Sequence, residues 1–292
     1  MATPIATSEL PSPPFVAVEG VKNFRDIGGY PITGSDSKSV KRGFVYRSAA
    51  LFGITNDGIK TLLSALGVRV IFDLRGDRGG IPGVVTIGIP VMPYDLVCER
   101  HRLLSGNYTA TLYASILSEG RFRRVFEHVR DKPDEPFLIH CAGGKDRTGV
   151  LVALMLRIAG VSDLDVVGKE YELTDIGNPI SEPSPPEVAL ALGKHIKASM
   201  MWLDEKYGGI EGYFKDVLKF QDEDIRKIEK NLVVQEKPTL NFSENGVYLM
   251  ERSLSSKAWC TFNVTFLASI FVPLAIFYFI FSLGLFRGES VP

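Results

Sequence analysis

The chain has 292 residues, of which 45% are hydrophobic and 23% are charged, and both values are ordinary for a globular protein. A formal net charge of −1 gives no sign of a bulk nucleic-acid binder, so no nucleic-acid partner is expected. The three cysteines, Cys98, Cys141 and Cys260, are too few and too widely spaced for a disulfide framework or a zinc site.

The first 20 residues are expected to form a flexible N-terminal arm. They contain four prolines, which favour extended backbone: Pro4, Pro11, Pro13 and Pro14. They have neither a basic start nor a continuous apolar stretch, so the sequence predicts no secretory signal.

Short strands and helices alternate in the part of the chain that follows. Thr55 is a candidate N-cap for one helix, and a loop rich in Gly and Arg covers 75–83. The predicted elements are a strand within 43–50, a helix over 54–66, and strands over 68–74 and 84–91. This alternation predicts an α/β fold with a mainly parallel central sheet flanked by helices.

The rest of the folded region is predicted to be mainly helical. Apolar residues cover nearly the whole circumference from Arg147 to Ala159, so the helix there should be buried. A short apolar strand at 137–140 precedes it. Further helices are predicted over 103–130, 188–206 and 211–232.

The composition changes abruptly near the C-terminal end. The 29 residues between Lys257 and Arg287 carry no charge, and about 20 apolar residues suffice to cross a bilayer. A transmembrane helix is therefore predicted, with a buried core helix as the alternative. The predicted organisation is an arm, a folded domain, a linker, a transmembrane helix and a tail, over 1–20, 21–235, 236–257, 258–286 and 287–292.

This organisation predicts a single-pass, tail-anchored protein whose folded domain faces the cytosol. Only five residues follow Arg287, and no secretory signal precedes the domain. Lys257 and Arg252, on the near side of the apolar segment, favour the same orientation. Without the anchor, the protein is expected to be cytoplasmic.

The stretch from His140 to Gly149 has the composition of a phosphate-binding loop. It reads His-Cys-Ala-Gly-Gly-Lys-Asp-Arg-Thr-Gly and joins the apolar strand to the buried helix. Its glycines let the backbone turn several N–H groups inward, and the helix N-terminus adds positive potential at the same point. The expected phosphate-binding residues are Ala142, Gly143, Gly144, Lys145, Asp146, Arg147 and Thr148.

Cys141 opens this loop and Arg147 closes it. A guanidinium can bind two phosphate oxygens at once, and a helix N-terminus beside cationic groups favours the thiolate form of cysteine, which is the nucleophile. The pattern therefore predicts a phosphatase in which Cys141 forms a phosphocysteine, Arg147 stabilises the transition state and Thr148 assists the departing sulfur. This chemistry needs no metal and no other cofactor.

The loop resembles the signature of the protein tyrosine phosphatase superfamily, His-Cys-x2-Gly-x2-Arg-(Ser/Thr). It is more closely similar to the tyrosine/serine phosphatase family of bacteria and fungi, whose loop ends in the sequence found at Gly144–Gly149. Further elements of that family are matched at Asn23–Tyr30, Tyr46–Ala49, Asp73–Arg75 and Glu170–Tyr171. The resemblance covers about residues 21–175. It implies the cysteine-phosphatase fold and hydrolysis of phosphotyrosine, with phosphoserine and phosphothreonine as further substrates.

The resemblance also bears on the remaining site residues. It implies a role for Asp146 in proton transfer or in orienting water, and a bracing role for Arg25, Asp26 and Arg47. Asp73 is the second candidate for the general acid, because it ends a predicted strand at the sheet edge where sites form in parallel sheets. Asp95 is the third candidate.

Three alternatives remain open from the sequence. A phosphoinositide phosphatase is one, because relatives that act on these lipids carry extra lysines in the loop and Lys145 is such a residue. A catalytically silent phosphate-binding module is another, and a rhodanese-like sulfurtransferase is disfavoured by the longer Cys-x5-Arg-Thr signature. The expected partners are a phosphoprotein or phosphoinositide substrate, and a membrane through the C-terminal helix.

Overall fold

A five-stranded sheet organises the protein. The computed structural model describes residues 10–76, 79–91, 108–179, 190–243 and 246–249. The strands of this sheet are β1 Arg25–Asp26, β3 Val45–Ser48, β4 Val70–Asp73, β5 Val85–Gly88 and β6 Phe137–His140. They lie in the order β1-β3-β6-β4-β5, and only the β1–β3 pairing among them is antiparallel. The predicted α/β fold with a mainly parallel central sheet is confirmed.

Helices cover both faces of the sheet. Their bounds are α1 Asn56–Lys60, continued by a π-helical turn over Thr61–Ala65, then α2 Tyr108–Ser118, α3 Arg123–Asp131, α4 Asp146–Ile158, α5 Leu164–Gly177, α6 Gly193–Tyr207, α7 Ile210–Asp216 and α8 Asp222–Leu232. Thr55 is the N-cap of α1 as predicted, because its hydroxyl accepts a hydrogen bond from the Gly58 N–H. Ten of the 13 residues of α4 are buried, as its all-round apolar pattern predicts.

Two of the predicted helices are each broken into two. The prediction of one helix over 103–130 was wrong, because α2 ends before Gly120 and α3 begins after it. Gly120 has a φ of +64°, which a continuous helix does not allow. The prediction over 211–232 was wrong in the same way, since α7 and α8 are separated near Lys219, which has a φ of +58°.

The core lies on both faces of the sheet because side chains alternate along each strand. Tyr46, Leu138 and Ile71 are in register on β3, β6 and β4, and they share the smaller apolar cluster with residues of the N-terminal segment. Phe137 and Ile139, which alternate with Leu138, enter the larger cluster built around α4. The central strands are therefore buried on both sides.

The ends of the folded domain differ from the sequence prediction. Phe15 and Val18, inside the predicted flexible arm, are 2% and 1% exposed. Their apolar side chains hold this segment to the sheet, where Phe15 forms a β-bridge with Arg25. Two small antiparallel pairs complete the fold: β2 Ser39–Val40 with β7 Val233–Val234, and β8 Leu240–Ser243 with β9 Gly246–Leu249.

The hairpin of β8 and β9 lies inside the predicted linker 236–257. Within the ranges that the structure describes, no helix is long and apolar enough to cross a membrane. The predicted span 258–286 and the tail 287–292 lie outside those ranges, so both stay predictions, and Asp95, Cys98 and Cys260 lie outside them too.

Candidate active site

The predicted phosphate-binding loop connects β6 to α4. His140 ends β6 in register with Ser48 of β3 and Asp73 of β4, so three parallel strands end together where the loop begins. Cys141 follows and is 3% exposed. Gly144 has a φ of +65°, and a Cβ placed there would lie 2.4 Å from the carbonyl oxygen of Ser48. The loop therefore requires glycine at this position.

Two carbonyl groups of the loop are held from outside. Asn23 Nδ2 donates to Gly143 O at 3.2 Å and to Gly144 O at 3.1 Å. Gly143 O also accepts from Asn178 Nδ2 at 3.2 Å, and Gly144 O accepts from Arg47 Nη2 at 2.5 Å. In a planar trans peptide the N–H points opposite to the carbonyl, so the N–H groups that follow these carbonyls face the inside of the loop. That orientation suits an anion.

A buried carboxylate between two arginines positions this support, and we call Arg25, Glu170 and Arg47 the arginine clamp. Arg25 Nε lies 2.9 Å from Glu170 Oε1, and Arg47 Nη1 lies 2.6 Å from Glu170 Oε2. The three side chains are at most 2% exposed. Arg25 also donates to the Asn23 side chain, so the clamp fixes both Asn23 and Arg47 against the loop.

The clamp confirms the bracing role predicted for Arg25 and Arg47. Burial, followed by the charge of Arg47, lowers the pKa of Arg25 to about 10, so Arg25 remains charged at neutral pH. Asp26 braces a different element. Its carboxylate accepts from the N–H groups of Gly28 at 2.8 Å and Gly43 at 2.7 Å, and burial raises its pKa.

Asp73 ends β4 beside His140, where it forms an ion pair with Arg75. Its two oxygens accept from Arg75 Nε and Nη2 at 2.9 and 2.7 Å, and Oδ2 lies 3.9 Å from His140 Nε2. Burial alone would raise the pKa of Asp73, but the Arg75 hydrogen bonds and the His140 charge outweigh it, so the pKa is lowered. Asp73 is therefore held as a carboxylate. Burial lowers the pKa of His140, whose Nδ1 lies 3.3 Å from Cys141 O.

Asp146 has a more open position at the N-terminus of α4. Its side chain is 35% exposed, and Lys145 Nζ lies 3.8 Å from its Oδ1. The same oxygen accepts from the hydroxyl of Tyr113 at 2.9 Å. The environments of Asp146 and Asp73 therefore differ, which the sequence did not reveal.

Arg147 and Thr148 complete the loop. Arg147 Nη1 lies 3.4 Å from Leu74 O and 3.5 Å from Val91 O, so its guanidinium reaches the carboxyl ends of β4 and β5. Thr148 is fully buried, and its hydroxyl has no hydrogen-bond partner among the residues that the structure describes. The hydrogen bond predicted from this hydroxyl to the Cys141 sulfur therefore stays a prediction.

A sequence model described as the tyrosine phosphatase family matches residues 16–234. The chain belongs to the tyrosine phosphatase family. A tyrosine-protein phosphatase of Nostoc commune is 29% identical over 205 residues, which cover 59% of this chain and 68% of the relative. The triple specificity protein phosphatase of Mycobacterium tuberculosis is 26% identical over 260 residues, covering 68% of this chain and 91% of the relative.

Solved structures of other phosphatases share a limited similarity with this family member. The catalytic core of the S. cerevisiae PP-IP phosphatase SIW14 aligns with 17% identity and a TM-score of 0.35, covering 60% of this chain and 83% of that core. A similarity of this size carries no argument about function. Family membership makes this protein a phosphatase, a hydrolase of the cysteine-dependent class.

Several supports of this phosphatase loop were missed by sequence reasoning. Asn23, Glu170 and Asn178 contact the loop or its arginines across 35 to 145 positions of sequence. No local pattern connects such distant residues, although the family elements Asn23–Tyr30 and Glu170–Tyr171 were a signal that these segments matter.

Substitution Glu170→Gln is expected to lower the free energy of unfolding by about 3–5 kcal/mol, because it leaves two buried arginines without their carboxylate. Inorganic phosphate should also inhibit the variant less strongly, because Arg47 and Asn23 lose their fixed positions. Urea unfolding and the phosphate inhibition constant measure the two effects. Glu223→Gln, which removes an exposed partner of Lys227, is the matched control and should change neither. An unchanged inhibition constant in Glu170→Gln would contradict the role of the clamp.

Proposed function

We propose that this phosphatase hydrolyses phosphotyrosine, and also phosphoserine and phosphothreonine, in proteins through a phosphocysteine on Cys141. The main support is the loop between Cys141 and Arg147. The carbonyl groups of Gly143 and Gly144 in this loop accept hydrogen bonds from side chains outside it. This arrangement supports binding of a tetrahedral dianion by inward N–H groups and the α4 N-terminus. The name of the M. tuberculosis relative, which states triple specificity, supports a broad substrate range.

The proposed reaction has two steps. In the first, Cys141 Sγ attacks phosphorus, the bond from phosphorus to the substrate oxygen breaks, and the leaving oxygen takes a proton from Asp146. In the second, water attacks phosphorus and gives a proton back to Asp146, while the bond from sulfur to phosphorus breaks and releases Cys141 as thiolate. Arg147 and the loop N–H groups bind the phosphoryl oxygens in both transition states.

Asp146 suits the proton transfer better than Asp73. Both oxygens of Asp73 accept hydrogen bonds from Arg75, and its lowered pKa keeps it ionised. Asp146 is partly open and lies inside the loop itself. We assign Asp73 to holding Arg75 and His140 in place, and Asp146 to proton transfer.

A phosphoinositide substrate is the second candidate. Lys145, in the loop, supplies a second cation near the phosphate-binding residues, and its side chain is 18% exposed. A second phosphate on an inositol ring would gain from such a charge. A silent phosphate-binding module is disfavoured, because both Cys141 and Arg147 are present.

Substitution Cys141→Ser is expected to abolish release of phosphate from a phosphotyrosine peptide, a phosphoserine peptide and phosphoinositides, because a hydroxyl is not ionised at neutral pH. The assay measures phosphate release on the same protein preparation. Phosphate binding should persist in the variant, which shows that the site is intact. Wild-type protein that binds a phosphopeptide without turnover would support the silent module, and activity that survives Cys141→Ser would overturn the proposed chemistry.

Substitution Asp146→Asn is expected to lower kcat/KM about 10²–10⁴-fold for alkyl phosphates, since general acid catalysis contributes about this much. The loss should be small for p-nitrophenyl phosphate, whose leaving group needs no proton. The measurement is the slope of log kcat/KM against leaving-group pKa for a series of aryl phosphates. Asp73→Asn is the matched variant and should leave this slope unchanged. A steeper slope in Asp73→Asn, together with an unchanged slope in Asp146→Asn, would instead make Asp73 the proton donor.

We also propose that residues 258–286 anchor the enzyme to a membrane. Support comes from the 29 consecutive uncharged residues between Lys257 and Arg287. The full chain is expected to remain in membranes after a carbonate wash, whereas a chain truncated after Ser256 should be released. A full-length chain that is extracted by carbonate would contradict the anchor.

A further inference from the structure

Two buried tyrosines from different helices meet at the carboxylate of Asp146. Tyr113 lies on α2 and Tyr171 on α5, and they are 0% and 1% exposed. The Tyr113 hydroxyl lies 2.9 Å from Asp146 Oδ1 and 2.5 Å from the Tyr171 hydroxyl, which is itself 3.4 Å from the same carboxylate oxygen. No other hydroxyl group in the described residues bonds to Asp146.

The number of protons sets the direction of these hydrogen bonds. Two hydroxyl protons are shared among three oxygens, so an ionised Asp146 Oδ1 can accept from Tyr113 while Tyr113 accepts from Tyr171. A proton on Oδ1 would compete with the Tyr113 hydroxyl for the lone pairs of the same oxygen. A proton on Oδ2 displaces nothing, because no hydrogen bond to Oδ2 occurs within the described parts of the chain.

A glycine on α4 leaves room for the Tyr171 ring beside Asp146. Gly149 lies one turn after Asp146 on α4, and a Cβ placed there would lie 2.6 Å from Cδ2 and 2.7 Å from Cε2 of Tyr171. Any side chain at this position would push the Tyr171 ring away from Asp146. The glycine that closes the family loop therefore makes room for the second hydroxyl.

We propose that Tyr113 and Tyr171 are positioning residues for Asp146, which occupy Oδ1 so that Asp146 gives and takes its catalytic proton through Oδ2. The proposal deepens the proposed function and rests on the role assigned there to Asp146. It assigns no chemistry to the tyrosines themselves. Burial and the charge of Asp146 raise the pKa of both tyrosines well above the usual value, so their hydroxyls stay protonated as donors.

Among the described residues, three other charged groups act on Asp146 or on its tyrosine partners. Lys145 faces Asp146 from the loop, with its Nζ 3.8 Å from Oδ1. Arg47 from β3 and Asp175 from α5 act on the Tyr171 hydroxyl, with opposite signs, and Lys145 acts in turn on Asp175. These three charged side chains are all kept in the tyrosine variants. We therefore assign a change in the pH profile to Asp146.

The test compares Tyr113→Phe and Tyr171→Phe with Tyr213→Phe. Tyr213 is the matched control, because it is buried and its hydroxyl donates to Leu117 O at 2.9 Å, away from Asp146. Hydrogen bonds to a carboxylate favour its ionised form. Removing the Tyr113 hydroxyl should therefore move the limb of the kcat profile governed by Asp146 to higher pH by about one unit, whether Asp146 acts there as acid or as base.

The expected pattern separates positioning from stability. Tyr113→Phe should also lower kcat about tenfold with KM nearly unchanged. Tyr171→Phe should give a smaller shift in the same direction, because Tyr113 still donates to Asp146. Tyr213→Phe should reduce thermal stability without moving the profile. Tyr113→Phe and Tyr171→Phe profiles that superimpose on the wild type, with only stability lost, would overturn the proposal.

The Asp146→Asn variant distinguishes a failure of the positioning role from a failure of the proposed function. If Asp146→Asn removes the pH limb and the tyrosine variants leave it in place, the positioning role is wrong and the role of Asp146 stands. If Asp146→Asn leaves the limb in place, the role of Asp146 is wrong and the positioning proposal fails with it. If Tyr113→Phe shifts the limb and Asp146→Asn removes it, both are supported.

Discussion

The carboxylate of Glu170 between Arg25 and Arg47 is the interaction on which the active-site loop depends. Removing three charged groups from water is costly, and a buried ion pair is weak support for stability as such. Here the clamp links β1, β3 and α5, and its arginines lead to the loop carbonyls through Asn23 and Arg47. Its contribution is geometric, because it fixes which way the loop peptides face.

The direction of those peptides decides the chemistry of the site. With the carbonyls of Gly143 and Gly144 tied outward, the following N–H groups converge inside the loop, where α4 begins. The same field attracts a dianion to the space in front of Cys141. A loop that was free to turn one peptide would offer a carbonyl to the phosphate, and repulsion would replace attraction.

Two carboxylates at this site have different environments and so suit different tasks. Arg75 donates to both oxygens of Asp73, which is therefore fixed as an anion. Asp146 has hydroxyl partners at one oxygen and is partly open. When two titratable groups of one site have different environments, one of them can act as acid or base while the other has a structural role.

Features encoded locally in the sequence were predictable, and features that join distant segments were not. The strand, loop and helix around Cys141 follow from adjacent residues, and the Thr55 cap follows from its own turn. The clamp, the Tyr113–Tyr171 pair and the packing of Phe15 join segments that are far apart in sequence. The breaks near Gly120 and Lys219 were missed because each depends on the backbone conformation of one residue, with a φ of +64° and +58°.

The most direct test of the central claim is to trap the covalent intermediate. The enzyme is mixed with a ³²P-labelled phosphotyrosine peptide, quenched in acid within milliseconds and digested for peptide mapping. The account predicts a labelled peptide that contains Cys141, with an acid-stable and iodine-sensitive bond typical of a thiophosphate ester. Label on a histidine or a carboxylate, or turnover with no labelled enzyme at any time, would contradict it.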